Sequence, residues 1–198
     1  MAGARQFNLN PEVVLAAYTH GAFPMTDPDG ITRWYTADPR GVLPLDEFKV
    51  PRSLRQRVRH GGFEIRINHN FRGVMNACRE RRAEHTWITA ELIELYCELH
   101  ALGFAHSVET WQDGKLAGGL YGVSMGAAFF GESMFHYVSN ASKVALVALV
   151  ERLRERQFTL LDTQAVTQHL KQFGAIEIAS AKYLELLHEA MPKTRVFA

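Results

Sequence analysis

The tightest constraint on the fold comes from residues 106–135. His106 to Gln112 and Lys115 to Ser124 are two strand-like runs joined by Asp113-Gly114. Asp and Gly tolerate the positive φ angles that a two-residue hairpin turn demands, so this segment is expected to be an antiparallel hairpin. Ala127 to Phe135 continues as a third antiparallel strand. Helical periods lie on both sides of this meander, so the chain is expected to pair a sheet with helices.

Downstream, Asn140 to Gln157 has its apolar residues at Leu146, Leu149, Val150 and Leu153, one stripe of a helix. Phe158 to Gln164 reads as a strand and Thr167 to Phe173 as a short helix ended by Gly174. Ile176 to Ile178 is a short strand, and Tyr183 to Ala190 a last helix. Upstream, Phe63 to Asn68 alternates at period two, and Phe71 to Arg81 and Thr89 to Leu102 are helical. Asn10 and Pro11 open a helix that Gly21 ends. Gly21 to Leu45 holds four of the seven prolines and no regular period. The expected organisation is a small N-terminal α/β subdomain over residues 1–50 and a second domain over 51–198, in the α+β class. From Phe63 the order is strand, two helices, meander, helix, strand, helix, strand. That order is similar to acetyltransferase-like N-acyltransferase folds, with a mainly antiparallel central sheet flanked by helices, an analogy at the level of fold.

The analogy makes the turn FHYVSNAS, before the Asn140 helix, informative. Acyl-CoA users cradle a pyrophosphate on a glycine-rich turn at this helix N-terminus. No glycine occurs here between Gly131 and Gly174, so CoA is not expected as the acyl donor. Other classes are excluded by what is absent: no GxxxxGK[ST] or GxGxxG, and no HExxH among the nine histidines. No metal and no cofactor are expected. Cys78 and Cys97 show no CxxC spacing and read as reduced thiols. With 47% hydrophobic residues, a net charge of +1 and no membrane-length apolar run or leader-like h-region, the chain is expected to be soluble and cytoplasmic. Lys49 to His60 departs from that balance: Lys49, Arg52, Arg55, Arg57 and Arg59 occur with no acid. Such a helix is either a solvated face or a clamp for a nucleic-acid backbone.

Four features can carry chemistry. Asp162 and Gln164 lie two apart in a strand and so are expected on one face, where the Asp carboxylate can fix the Gln amide; the alternative is a strand end meeting solvent. Glu132, inside FFGESMF, is hard to solvate without a cleft; the alternative is a glycine bulge with a solvated Glu. Ser139, Asn140 and Ser142 read as capping oxygens, whereas Lys143 in the first helical turn opposes the helix dipole, which a nearby phosphate would explain. Trp34, Tyr35 and Trp87 can stack on a purine or simply pack.

Taken together, these segments resemble the leucyl/phenylalanyl-tRNA–protein transferase family. The resemblance rests on YTHGAFPM (18–25), WYTADPRGVLP (34–44), TWIT (86–89), HSVE (106–109), GGLYGV (118–123), GESMF (131–135), NASK (140–143), DTQ (162–164), His169 and FGA (173–175), in family order. It implies transfer of Leu, Phe and less readily Met from aminoacyl-tRNA to proteins with N-terminal Arg or Lys. By the same resemblance, Asp162 and Gln164 form a relay on the attacking amine, and Glu132 lies in the same site. The donor side chain would enter a pocket of Leu120, Phe129, Leu146, Leu149 and Leu161, with Tyr35 and Trp87 at the tRNA 3′ end. Arg52, Arg55, Arg57 and Arg59 would meet the tRNA backbone. Two positions depart from the pattern: Tyr35 replaces a Trp, and Leu149 stands where an aromatic can occur.

Overall fold

The computed structural model describes residues 9–81 and 86–198. Residues 1–8, the start of the stretch read as lacking a leader, and residues 82–85 lie outside the described residues. Helix α1 (Pro11–Thr19) starts where Asn10 Oδ1 accepts the Val13 N–H at 2.9 Å, with Pro11 at its head. β1 (Phe23–Thr26) and β2 (Thr32–Tyr35) form a small antiparallel pair. β3 (Arg40–Val42) does not extend that pair but enters the main sheet.

The chain continues through α2 (Arg52–His60), β4 (Glu64–Ile67), α3 (Phe71–Glu80) and α4 (Ala90–Ala101). The meander follows as β5 (Ala105–Gln112), β6 (Lys115–Met125) and β7 (Ala128–His136). Its turn forms as the sequence predicts, with positive φ at Asp113 (51°) and Gly114 (71°). After it come α5 (Ala141–Glu155), β8 (Leu160–Gln164), α6 (Gln168–Lys171), β9 (Ile176–Ile178) and α7 (Ser180–Ala190). The seven-stranded sheet runs β4-β5-β6-β7-β8-β3-β9. Every neighbouring pair is antiparallel except β7 and β8, which α5 connects in parallel. The expected α+β layout, a mainly antiparallel sheet flanked by helices, is the one observed.

Alternation along the strands splits the core into two layers. Tyr121, Val123 and Phe130 face a cluster with α1, α3 and α4, which holds Tyr18, Val74, Leu92 and Tyr96. Val108, Leu120, Phe129 and Leu161 face α5, whose Leu146, Leu149, Val150 and Leu153 are all buried. Each such aliphatic side chain contributes about 1.5–3 kcal/mol of burial. Gly118 lets the head of α5 sit on β6, because a Cβ there would stand 2.6 Å from Ala141 Cβ. No helix among the described residues is long and apolar enough to cross a membrane.

One local expectation is corrected. Asn140 precedes α5 but makes no capping bond with its side chain; it adopts a left-handed conformation, φ 68°. The tight path from β7 into the helix demands positive φ, and Asn is among the non-glycine residues that tolerate it best.

Candidate active site

β7 and β8 are hydrogen-bonded only over Ala128↔Leu160, Phe129↔Leu161 and Phe130↔Asp162. Beyond Gly131 the strands part: β8 stays paired with β3 as far as Gln164, while β7 stays with β6. At the parting, β7 carries a bulge: Tyr121 faces Ser133 and Gly122 faces Gly131, leaving Glu132 as the extra residue. A bulge re-aims the side chain it inserts, and here it turns Glu132 into the gap. Gly131 itself is not forced by crowding, since a Cβ there would lie 3.5 Å from the Asp162 carbonyl oxygen. The gap opens into a cavity of about 710 Å³ that connects the two sides of the sheet. Phe23, Met25, Trp87 and Tyr121 line it on one side; Leu120, Met134, Leu146, Leu149 and Leu161 form an apolar slot on the α5 side.

Glu132 stands where these halves meet. Its Oε1 accepts the Tyr18 hydroxyl at 2.7 Å and Gln164 Nε2 at 3.3 Å. Tyr18 and Tyr96 hydroxyls are 2.6 Å apart, and Tyr96 Oη lies 3.5 Å from Glu132 Oε2. Since each hydroxyl has one proton, the short distances favour a chain in which Tyr96 donates to Tyr18 and Tyr18 donates to Glu132. Burial, and then the Glu132 charge, hold both phenols well above their ordinary pKa of 10.0, so they remain donors. Burial lifts the Glu132 carboxyl itself to about 7, against the Tyr18 hydrogen bond and with help from Asp162.

Asp162 lies deeper, fully buried and outside the cavity lining. Its oxygens accept Arg40 Nε at 3.0 Å and Arg40 Nη2 at 2.5 Å, Tyr183 Oη at 2.8 Å and the Gln164 backbone N–H at 2.8 Å. Those partners fill the roughly four lone-pair sites of a carboxylate. Arg40, 1% exposed, also donates to the Gly21 carbonyl and lies between the Phe23 and Tyr183 rings. The expected Asp162–Gln164 link therefore exists, but through the Gln164 main chain. Gln164 has φ 56°, which breaks strand alternation and frees its side chain to reach Glu132 rather than Asp162. Ser133 Oγ, Thr163 Oγ1 and His169 Nε2 are buried without a hydrogen-bond partner among the described residues, and all three residues line the cavity. Buried polar groups left open in this way point to a ligand or water that completes them.

Comparison with known proteins places this arrangement. A leucyl/phenylalanyl-tRNA protein transferase family model matches residues 42–188, and the model of that family's N-terminal domain matches residues 7–38. The leucyl/phenylalanyl-tRNA–protein transferase of Herpetosiphon aurantiacus is 53% identical over 190 residues, covering 96% of this chain and 98% of that protein. The chain belongs to the leucyl/phenylalanyl-tRNA–protein transferase family. The family's member in Salinibacter ruber is 52% identical over 185 residues, covering 93% of this chain and 81% of its own length. The member in Paramagnetospirillum magneticum is 53% identical over 193 residues, covering 96% and 92%. Among solved structures, L-PGS from Bacillus licheniformis shares the fold, with a TM-score of 0.51 at 11% identity over 92% of this chain and 77% of that one.

Not every family position expected at the site lines the cavity. Glu132, Gln164, Trp87, Leu120, Leu146, Leu149 and Leu161 do. Phe129 is fully buried behind the slot, against Phe197 at 5.0 Å. Tyr35 is also outside the lining: its hydroxyl donates to Asp27 and its ring stacks on Phe23 at 6.5 Å, so Phe23 and Met25 form that wall. Arg52, Arg55, Arg57 and Arg59 are exposed on α2, pair with no carboxylate among the described residues, and ride on α5 through the buried Leu54. Tyr18, Tyr96, Arg40 and Tyr183 went unsingled by sequence reasoning. Tyr18 and Arg40 do lie inside the family segments YTHGAFPM and WYTADPRGVLP.

Proposed function

We propose that this protein transfers leucine, phenylalanine and, less readily, methionine from aminoacyl-tRNA to the α-amino group of proteins that begin with Arg or Lys, marking them for N-end rule degradation. Its partners are then Leu-tRNA or Phe-tRNA and such proteins, in the cytoplasm, with neither CoA nor a metal taking part. The observation that carries this reading is the meeting of Glu132 and Gln164 with a leucine-lined slot at the parting of β7 and β8.

In the reaction, a neutral amine attacks the ester carbonyl carbon, a C–N bond forms, and the C–O bond to the ribose breaks as the ribose oxygen takes a proton. An α-amine has a pKa of about 7.7–8.0, so much of it is ammonium at neutral pH. A carboxyl titrating near 7 is matched to receive that proton. Gln164 Nε2 is directed at Glu132, which leaves its Oε1 to accept an amine N–H. Asp162 acts one step back, holding the Gln164 main chain and leaving its own charge to Arg40. Glu132 is then the carboxylate that favours a cationic first residue. The slot admits unbranched-β apolar side chains, and Val or Ile would be rejected by shape. Trp87 offers a stacking face for the terminal adenine, and the α2 arginines neutralise phosphates of the acceptor stem.

Incubation with Leu-tRNA and peptides starting with Arg, Lys, Asp or Glu tests the reading. Extension of the Arg and Lys peptides is expected. Extension of only the acidic peptides would reverse the charge assignment, and absence of any transfer would end the transferase reading.

A further inference from the structure

At the head of α5, the cavity has a character opposite to that at Glu132. Lys143 is the third residue of this 15-residue helix and lines the cavity with Ser139, Asn140 and Ser142. Its ammonium has no salt bridge and no hydrogen bond among the described residues, although it stands at the positive end of the helix dipole, where a cation is disfavoured. His136 and His169 line the same end. Burial, then Lys143 and His136, hold the His169 imidazole below its usual pKa, so the three groups lie close enough to repel. Among the described residues, no carboxylate lines this end.

Other groups here also lack partners. His169 Nε2 is buried and unpartnered among the described residues and lines the same cavity. The Ala141 N–H bonds to Val138 O and the Val144 N–H to Asn140 O, but the N–H groups of Ser142 and Lys143 meet no acceptor among the described residues. Asn140 does not cap them, because its backbone is left-handed and its side chain is not turned to the helix. Unclaimed N–H donors at a helix head, an unpaired ammonium and two imidazoles together make an anion site.

We propose that Lys143, His136, His169 and the first turn of α5 form a subsite for the 5′-phosphate group of the terminal nucleotide of the donor RNA. The proposal rests on the transferase reading above and deepens it. The cavity is then electrostatically polarised along the reacting pair: a carboxylate attends the amine, and the Lys143 ammonium attends the phosphodiester of the ester-bearing nucleotide. It also accounts for a turn without glycine at a position where a pyrophosphate cradle needs one: a single phosphate is held by side chains and two N–H groups.

The test uses two stable donor analogues, phenylalanyl-3′-amino-3′-deoxyadenosine with and without a 5′-phosphate, titrated calorimetrically at fixed ionic strength. In the unaltered protein the 5′-phosphate is expected to tighten binding about tenfold, the scale of one or two charge-assisted hydrogen bonds. The ratio of the two dissociation constants should fall to within about twofold in Lys143→Ala and recover in Lys143→Arg. A ratio near one in the unaltered protein overturns the subsite while leaving the donor reading intact. So does a ratio that Lys143→Ala leaves unchanged. Failure of both analogues to bind overturns the donor reading and the subsite with it.

Discussion

Asp162→Asn separates the support of the site from its chemistry. The substitution keeps the shape of the side chain but removes its charge, leaving Arg40, 1% exposed, with the Gly21 carbonyl and Tyr183 as neutral partners. Removing one member of a buried ion pair costs about 3–5 kcal/mol, because the other charge stays desolvated. Against a total stability of about 5–15 kcal/mol for a domain, that is a large loss. Urea unfolding at pH 7 should therefore show a lower midpoint with an unchanged m-value. Replacing both partners with apolar residues, Arg40→Met with Asp162→Leu, should recover much of the loss. The Asn Oδ1 can still accept the Gln164 N–H, so transfer per folded molecule should fall less than in Asp162→Ala, which removes that acceptor as well. The latter misplaces Gln164 and should cost about 10²-fold or more in rate. A single-variant cost below about 1 kcal/mol, or near-normal transfer by folded Asp162→Ala, would refute this reasoning.

Three further outcomes follow from the geometry. The Glu132 carboxyl sits at about 7 in the folded protein against 4.5 when free, so its stabilising contribution is complete below about 4.5 and lost as pH rises through 7. Relative to Glu132→Gln, the unaltered protein should thus lose about 2–3 kcal/mol between pH 4.5 and 8, and parallel stability curves would contradict the burial of that carboxyl. Leu149→Ala enlarges the slot and should shift the relative use of Phe and Leu donors by about tenfold in kcat/KM; an unchanged ratio would remove Leu149 from donor selection. Replacing Arg52, Arg55, Arg57 and Arg59 one at a time by Ala should each reduce the salt dependence of tRNA binding, with a change in log–log slope of about 0.7–0.9 per lost phosphate contact, and an unchanged slope would return that arginine to the solvated surface.

What the sequence made legible was local. The Asp113-Gly114 turn, the apolar stripe of α5 and the Asn10 cap of α1 each depend on residues a few positions apart, so periodicity and turn chemistry disclose them. The pairing of Arg40 with Asp162 joins residues 122 apart, and that of Tyr18 with Glu132 joins residues 114 apart. Contacts of that span leave no periodic trace; they surfaced only as fragments of family segments. β3 was illegible for a related reason, because three residues in a proline-rich tract show no alternation and are made a strand by β8 and β9 on either side. Asp162 and Gln164 were rightly joined but wrongly oriented, since the left-handed φ of Gln164 ends the two-residue alternation on which the inference depended. Asn140 misled because Asn both caps helices and tolerates positive φ, and only the chain path decides between the two.

The most direct test of the central claim, that aminoacyl transfer occurs where β7 and β8 part, is a crystal structure with the stable amide analogue of a phenylalanyl-adenosine donor. The phenyl ring is expected in the slot formed by Leu120, Leu146, Leu149 and Leu161, with the amide carbonyl carbon facing the space beside Glu132 and Gln164, within about 3–3.5 Å of where an attacking nitrogen would be held. An analogue bound elsewhere, such as the groove lined by Val42, Leu45, Phe158 and Ile176, or bound with its carbonyl turned away from Glu132, would contradict it.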